Sequence, residues 1–108
     1  FLNRLAQNIR LQADPTVQYA VAPDADGKWW PSPLTQVQLD TASPYNTYLN
    51  EGLPPGPIAN PGLSSLQAVA NPQTTEFIFF MADCIAADGT HLFAITYDDH
   101  LANVQRCR

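Results

Sequence analysis

Most of the side chains able to do chemistry in this chain are aromatic rings and neutral hydrogen-bond formers. Tyr45, Asn46, Thr47 and Tyr48 run consecutively toward the segment Gly52-Leu53-Pro54-Pro55-Gly56-Pro57-Ile58-Ala59-Asn60-Pro61-Gly62. The tyrosine rings can stack on flat apolar ligand faces, and Asn46, Thr47 and Asn60 can hydrogen-bond neutral polar groups such as hydroxyls and amides. Gln12, Asp14 and Thr16 form a second polar group, and His91 opens an apolar run. Each has an ordinary structural alternative. Asp14 reads first as a helix N-cap, the amides and hydroxyls as turn formers, and His91 as a structural histidine. Only two glutamates are present, Glu51 beside Gly52 and Glu76 before an apolar run. They read as a solvated loop charge and a strand-edge charge. Trp29 and Trp30 are adjacent in a turn-rich stretch, where they can form a stacking platform, or one can pack down while the other is exposed.

Something must hold these groups in place. Four prolines and three glycines between Gly52 and Gly62 describe a stiff, shaped loop. Proline fixes φ and removes a donor, and glycine reaches backbone shapes closed to other residues. Rigid loops on a scaffold often carry function, so this run reads as one wall of a groove. Its alternative is a loop crossing the edge of the fold.

The expected fold class is α+β, an antiparallel hairpin with packed short helices and a long Pro/Gly-rich structured loop. Phe1, Leu2, Leu5 and Ile9 fit one helical face over residues 1–10. No N-cap precedes them, so the chain reads as cut from a longer protein inside a helix. Asp14-Pro15-Thr16 reads as a helix start, and that helix ends before Pro23. Thr35–Thr41 fits neither period. Ser64–Asn71 reads as a helix with Leu63, Leu66, Val69 and Ala70 inward, ending before Pro72. Phe77–Met81 and Leu92–Ile95 read as buried strands of a hairpin around Asp88-Gly89, packed by the helices near Leu63–Ala70 and Asp98–Arg106. The last helix has acids in its first turn and Arg106 and Arg108 in its last, as the helix dipole favours.

At 108 residues the chain is one domain or part of one. The net charge is −5 and the five cations are scattered, which excludes a phosphate-neutralising nucleic-acid binder. No apolar run is long enough to span a membrane. Cys84 and Cys107 lie at no metal-ligand spacing. They are free or buried thiols, or a disulfide if the domain lies outside the cytoplasm.

Several of these segments carry a resemblance. Asp14-Pro15-Thr16-Val17, then Tyr45-Asn46-Thr47-Tyr48, then the Leu53-Pro54-Pro55-Gly56-Pro57-Ile58 run through Gly62 resemble, in order and spacing, the signature of the YceG-like endolytic murein transglycosylases. Phe1-Leu2-Asn3-Arg4-Leu5 resembles the stretch just before it, and Phe79–Asp83 with His91-Leu92-Phe93 resembles its close. The resemblance implies that residues 1–108 are the C-terminal portion of a catalytic domain, truncated upstream. It implies peptidoglycan glycan strands as partner and 1,6-anhydro-N-acetylmuramic acid ends as product. It further implies no cofactor, and a full-length protein anchored at the extracytoplasmic face of the bacterial membrane near cell-wall synthesis enzymes. Gln12, Asp14, Thr16, Tyr45, Asn46, Thr47, Tyr48, Asn60 and His91 are then substrate-binding candidates. The family's catalytic glutamate lies upstream of the Phe-Leu-Asn-Arg-Leu match. Neither Glu51 nor Glu76 matches it, so no catalytic residue is carried over and the chain alone is expected to be inactive.

Two other readings differ in class. One is a non-catalytic glycan-binding module. The other is an aminodeoxychorismate lyase, a label the family once bore. That chemistry needs a Schiff-base lysine, and the one lysine is Lys28, in a loop beside Gly27.

Overall fold

In a computed structural model all 108 residues are described, and they form two compact bodies. One comprises Leu2–Pro72. The other comprises Gln73–Arg108 together with Phe1.

The first body holds four short helices: α1 (Leu2–Ala6), α2 (Asp14–Val21), α3 (Gln36–Leu39) and α4 (Leu63–Ala70). Helix α1 stops well short of residue 10. Asn8 turns left-handed at φ 56°, and the amides of Asn8 and Ile9 return to Leu5 O (3.3 Å) and Arg4 O (2.9 Å). This double return is a Schellman ending, which asparagine tolerates better than most residues. Helix α2 has Pro15 in its first turn, as expected. Its N-cap, however, is Ala13, with no side-chain cap bond, so Asp14 is not the cap. Val21 is followed by extended Ala22 before Pro23. The ambiguous Thr35–Thr41 stretch forms α3 because Thr35 and Gln38 make a reciprocal capping box: Gln38 N donates to Thr35 Oγ1 (3.3 Å), and Thr35 N donates to Gln38 Oε1 (2.9 Å).

Polar side chains make up most of the core of this body. Leu11 and Val17 are buried, and so are Arg4, Thr16, Asn46 and Thr47. Helix α4 forms where the sequence places it, but its apolar face is not inward. Leu63, Leu66 and Val69 are 71%, 53% and 69% exposed.

The second body is an antiparallel hairpin, β1 (Phe79–Ala82) and β2 (His91–Ala94), with helix α5 (Tyr97–Arg106) packed on both strands. The register pairs Phe79 with Ala94 and Met81 with Leu92 on the helix side, and Phe80 with Phe93 and Ala82 with His91 on the other. The strands are therefore not buried on both faces. Their burial alternates, because one helix covers one face of a two-stranded sheet. On the helix side Phe79 stacks on His100 with ring centroids 5.2 Å apart. On the open side Phe93 lies 5.4 Å from Phe77, and Phe80 lies 5.3 Å from Phe1. Thr96 caps α5, accepting from Asp99 N at 3.1 Å. A disulfide joins Cys84, in the hairpin connection, to Cys107 at the end of α5, and neither cysteine is free.

Candidate functional site

The polar candidates converge through a buried network that stitches the start of α2 to the Tyr45–Tyr48 turn. Thr47 Oγ1 accepts from Ala13 N (3.0 Å), and Gln12 N donates to Thr47 O (3.2 Å). Thr16 Oγ1 donates to Ala13 O (2.7 Å), accepts from Thr47 N (3.3 Å) and lies 2.8 Å from Thr47 Oγ1. One proton arrangement satisfies this set. A hydroxyl has a single proton, so Thr16 gives its own to Ala13 O and Thr47 donates to Thr16. Both hydroxyls are occupied and both residues are buried, at 4% and 1% exposure.

Asn46 is likewise committed to the framework. It is fully buried. Its Nδ2 donates to Leu39 O (2.8 Å) and Thr41 O (2.9 Å), and its Oδ1 accepts from Tyr48 N (2.9 Å). Both amide protons are used, so Asn46 has no donor left for a ligand. Tyr45 is half-buried against Tyr19 of α2, with ring centroids 4.9 Å apart. A Cβ at Gly56 would come within 3.2 Å of the Tyr45 hydroxyl, so the Pro/Gly loop passes close to this hydroxyl and a side chain there would have to push it aside. Gly52 opens the loop at φ +82°, a left-handed position that favours glycine.

What the network presents to solvent is Asp14, Tyr48 and Gln12. The Tyr48 hydroxyl donates to Asp14 Oδ1 at 2.5 Å, on the exposed side of the stitched segments. Burial raises the Tyr48 pKa far above its ordinary value, and the hydrogen bond and charge of Asp14 raise it further. Tyr48 therefore stays protonated, and its donated bond fixes the Asp14 carboxylate. Gln12 holds a left-handed backbone (φ 48°), and Arg4 reaches its side chain: Nη1 donates to Arg10 O (2.8 Å) and Gln12 Oε1 (3.4 Å). Arg4 is a buried clamp on residues 10–12, and burial lowers its pKa. As the one charged side chain among residues 1–9, it was the visible sign of such a role.

Asn60 is exposed in the Pro/Gly run. His91 lies in the second body, exposed on β2 and edge-on to Phe80 at 5.6 Å. Glu51 and Glu76 are both exposed, and Lys28 sits in an exposed turn. Trp29 and Trp30 are 65% and 52% exposed, so neither packs down. A shallow depression of about 360 Å³ is lined by Ala42, Ser43, Pro44, Leu49 and Asn50, none of them a candidate residue.

The family model described as the YceG-like family matches residues 1–106. This chain belongs to the YceG-like family. A relative named endolytic murein transglycosylase, from Bacillus subtilis (strain 168), is 41% identical over 93% of this YceG-like chain and 25% of its own length. A second of the same name, from Streptococcus pneumoniae serotype 2 (strain D39), is 34% identical over 96% of this chain and 18% of its own. The crystal structure of a yceG-like protein from Listeria monocytogenes superposes with a TM-score of 0.81 at 42% identity, covering 94% of this chain and 31% of that one. The chain thus spans a quarter or less of the curated relatives it matches. None of its helices is long and apolar enough to cross a membrane.

Replacing Tyr48 by phenylalanine removes the donor to Asp14 and should cost about 1 kcal/mol, the usual net worth of one hydrogen bond. A tyrosine pKa raised on folding stabilises the folded state below the unfolded value near 10, and that contribution is lost as pH rises above it. Denaturation midpoints between about pH 8 and 11 should therefore fall more steeply for the parent than for Tyr48→Phe. Parallel slopes would mean that Tyr48 ionises as freely in the folded chain as in the unfolded one.

Proposed function

We propose that this chain is the C-terminal portion of the catalytic domain of an endolytic murein transglycosylase and supplies a glycan-binding wall of its groove. The observation that carries this reading is the exposed Asp14 carboxylate fixed by half-buried Tyr48, held on a fully satisfied buried network, in a chain whose relatives bear that name. A tyrosine ring offers a stacking face, and the fixed carboxylate accepts from sugar hydroxyls through its other oxygen. Gln12 and Asn60 add exposed amides. Thr16, Asn46 and Thr47 act beneath the surface as positioning residues.

In such a reaction a single carboxylic acid suffices. It protonates the glycosidic oxygen as the C1–O bond breaks. Its carboxylate then takes the proton of the C6 hydroxyl of the same sugar, whose oxygen closes onto C1 as the 1,6-anhydro ring. Water takes no part, so the glycan must be held with O6 aimed at C1, and binding walls supply that orientation. The acid belongs to sequence upstream of the Phe1–Leu5 match, and residues of this chain bind and orient. The working site is the peptidoglycan outside the cytoplasmic membrane, where a disulfide such as Cys84–Cys107 persists. Membrane anchoring and neighbouring cell-wall synthesis enzymes belong to the longer protein.

Co-sedimentation with purified sacculi tests the binding half. The chain should pellet with sacculi, and Asp14→Ala or Tyr48→Ala should weaken that binding about tenfold, which corresponds to about 1.4 kcal/mol. If both variants pellet like the parent, the Asp14–Tyr48 surface is not the wall.

A further inference from the structure

Trp29 and Trp30 are the chain's only tryptophans. Each leaves more than half its surface in water, at 65% and 52%, in the stretch between α2 and α3. Indoles are large apolar groups whose burial is strongly favourable, so two adjacent ones facing solvent are a costly arrangement for a small body. The backbone on both sides is pinned. Before them, Asp24 Oδ1 accepts from Asp26 N (3.0 Å) and Lys28 N (2.8 Å), and Asp24 N donates to Lys28 O (2.9 Å). Gly27 completes this turn at φ +78°. After them, Pro31 is buried and its carbonyl accepts from Gln18 Nε2 of α2 at 2.9 Å. The indoles are thus carried between two fixed points, and displaying them costs little further ordering when a ligand arrives.

We propose that the Trp29–Trp30 turn is a second glycan contact, a stacking platform for the apolar face of an N-acetylhexosamine ring. This inference rests on the reading that the chain binds glycan. The turn leaves the C-terminal end of α2, whereas Asp14 opens its N-terminal end, so the platform is separate from the Asp14–Tyr48 pair. Charge selects the ligand. Asp24 and Asp26 flank the indoles with Lys28 as the one cation, in a chain of net charge −5. An anionic membrane surface attracts clustered lysine and arginine and is repelled by such a turn. A sugar ring offers C–H groups to the indole faces and hydroxyls to the solvent edge, and needs no cation.

All tryptophan emission of the chain comes from these two residues, so fluorescence reports this turn alone. Titration with the β-1,4-linked tetramer of N-acetylglucosamine should give a saturable blue shift. Trp29→Ala and Trp30→Ala should each weaken sacculus co-sedimentation at least fivefold with unchanged thermal midpoints. If the parent and both variants bind sacculi equally and the tetramer leaves the emission unmoved, the platform is wrong while the glycan reading stands. Failure of the parent itself to bind sacculi overturns that reading, and the platform with it. A blue shift with phosphatidylglycerol vesicles and none with the tetramer also overturns the proposal, and makes the turn a membrane contact.

Discussion

Replacing Asn46 by alanine should destabilise the Leu2–Pro72 body by about 3 kcal/mol, a large part of a small domain's stability. The side chain is fully buried and makes three hydrogen bonds, to Leu39 O, Thr41 O and Tyr48 N. Alanine leaves those backbone groups without partners, and each buried unsatisfied group costs on the order of 1–3 kcal/mol. Nearby Asn50 is the control. It also donates to two carbonyls, Ser43 O and Asn46 O, but it is exposed and water can replace it. Asn50→Ala should cost less than about 1 kcal/mol. Urea unfolding of both variants measures the contrast. Equal losses would mean that burial of Asn46 is not what makes its bonds matter.

Reducing the Cys84–Cys107 disulfide should have an effect of similar size, confined to the other body. The crosslink spans 23 residues and ties the hairpin connection to the end of α5. Loop-closure entropy for that span gives about 3 kcal/mol of stabilisation. Little else in this body can compensate, because Ala94 is its one buried apolar residue and Phe77, Phe80 and Phe93 are all exposed by more than a third. Small bodies with thin cores depend on such staples. Hydrogen exchange after reduction should show lost protection in β1, β2 and α5, with amides of α2 and the Tyr45–Tyr48 turn unchanged. Retained protection in the hairpin would show that aromatic packing alone holds it.

Punctuation residues made the element order readable. Pro15 and Pro23 bracket α2, Pro72 follows α4, and Asp88-Gly89 sits in the hairpin connection. What stayed hidden is burial. The apolar positions of α4 match a helical period, yet a period says which residues share a face and nothing about whether a partner covers it. The reverse holds at the candidate site. Asn46, Thr47 and Thr16 looked like ligand contacts because they are polar, and the structure buries all three in mutual and backbone bonds. Polar residues in the core are legible only from their partners, here 31 or more residues away in sequence for the Thr16–Thr47 and Ala13–Thr47 pairs. The Asp14–Tyr48 pair, 34 residues apart, depends on that same long-range stitching. The Thr35–Gln38 capping box, by contrast, is local and stood in the sequence as Thr-Gln-Val-Gln.

The most direct test of a binding wall without its acid is product analysis. Purified sacculi are incubated with the 108-residue chain, and both the solubilised and the retained glycan are analysed by mass spectrometry for 1,6-anhydro-N-acetylmuramic acid ends. The chain should be retained on the sacculi while the number of anhydro ends stays at the buffer level. A rise in anhydro ends that Glu51→Gln or Glu76→Gln abolishes would contradict it, because the acid would then lie within this chain.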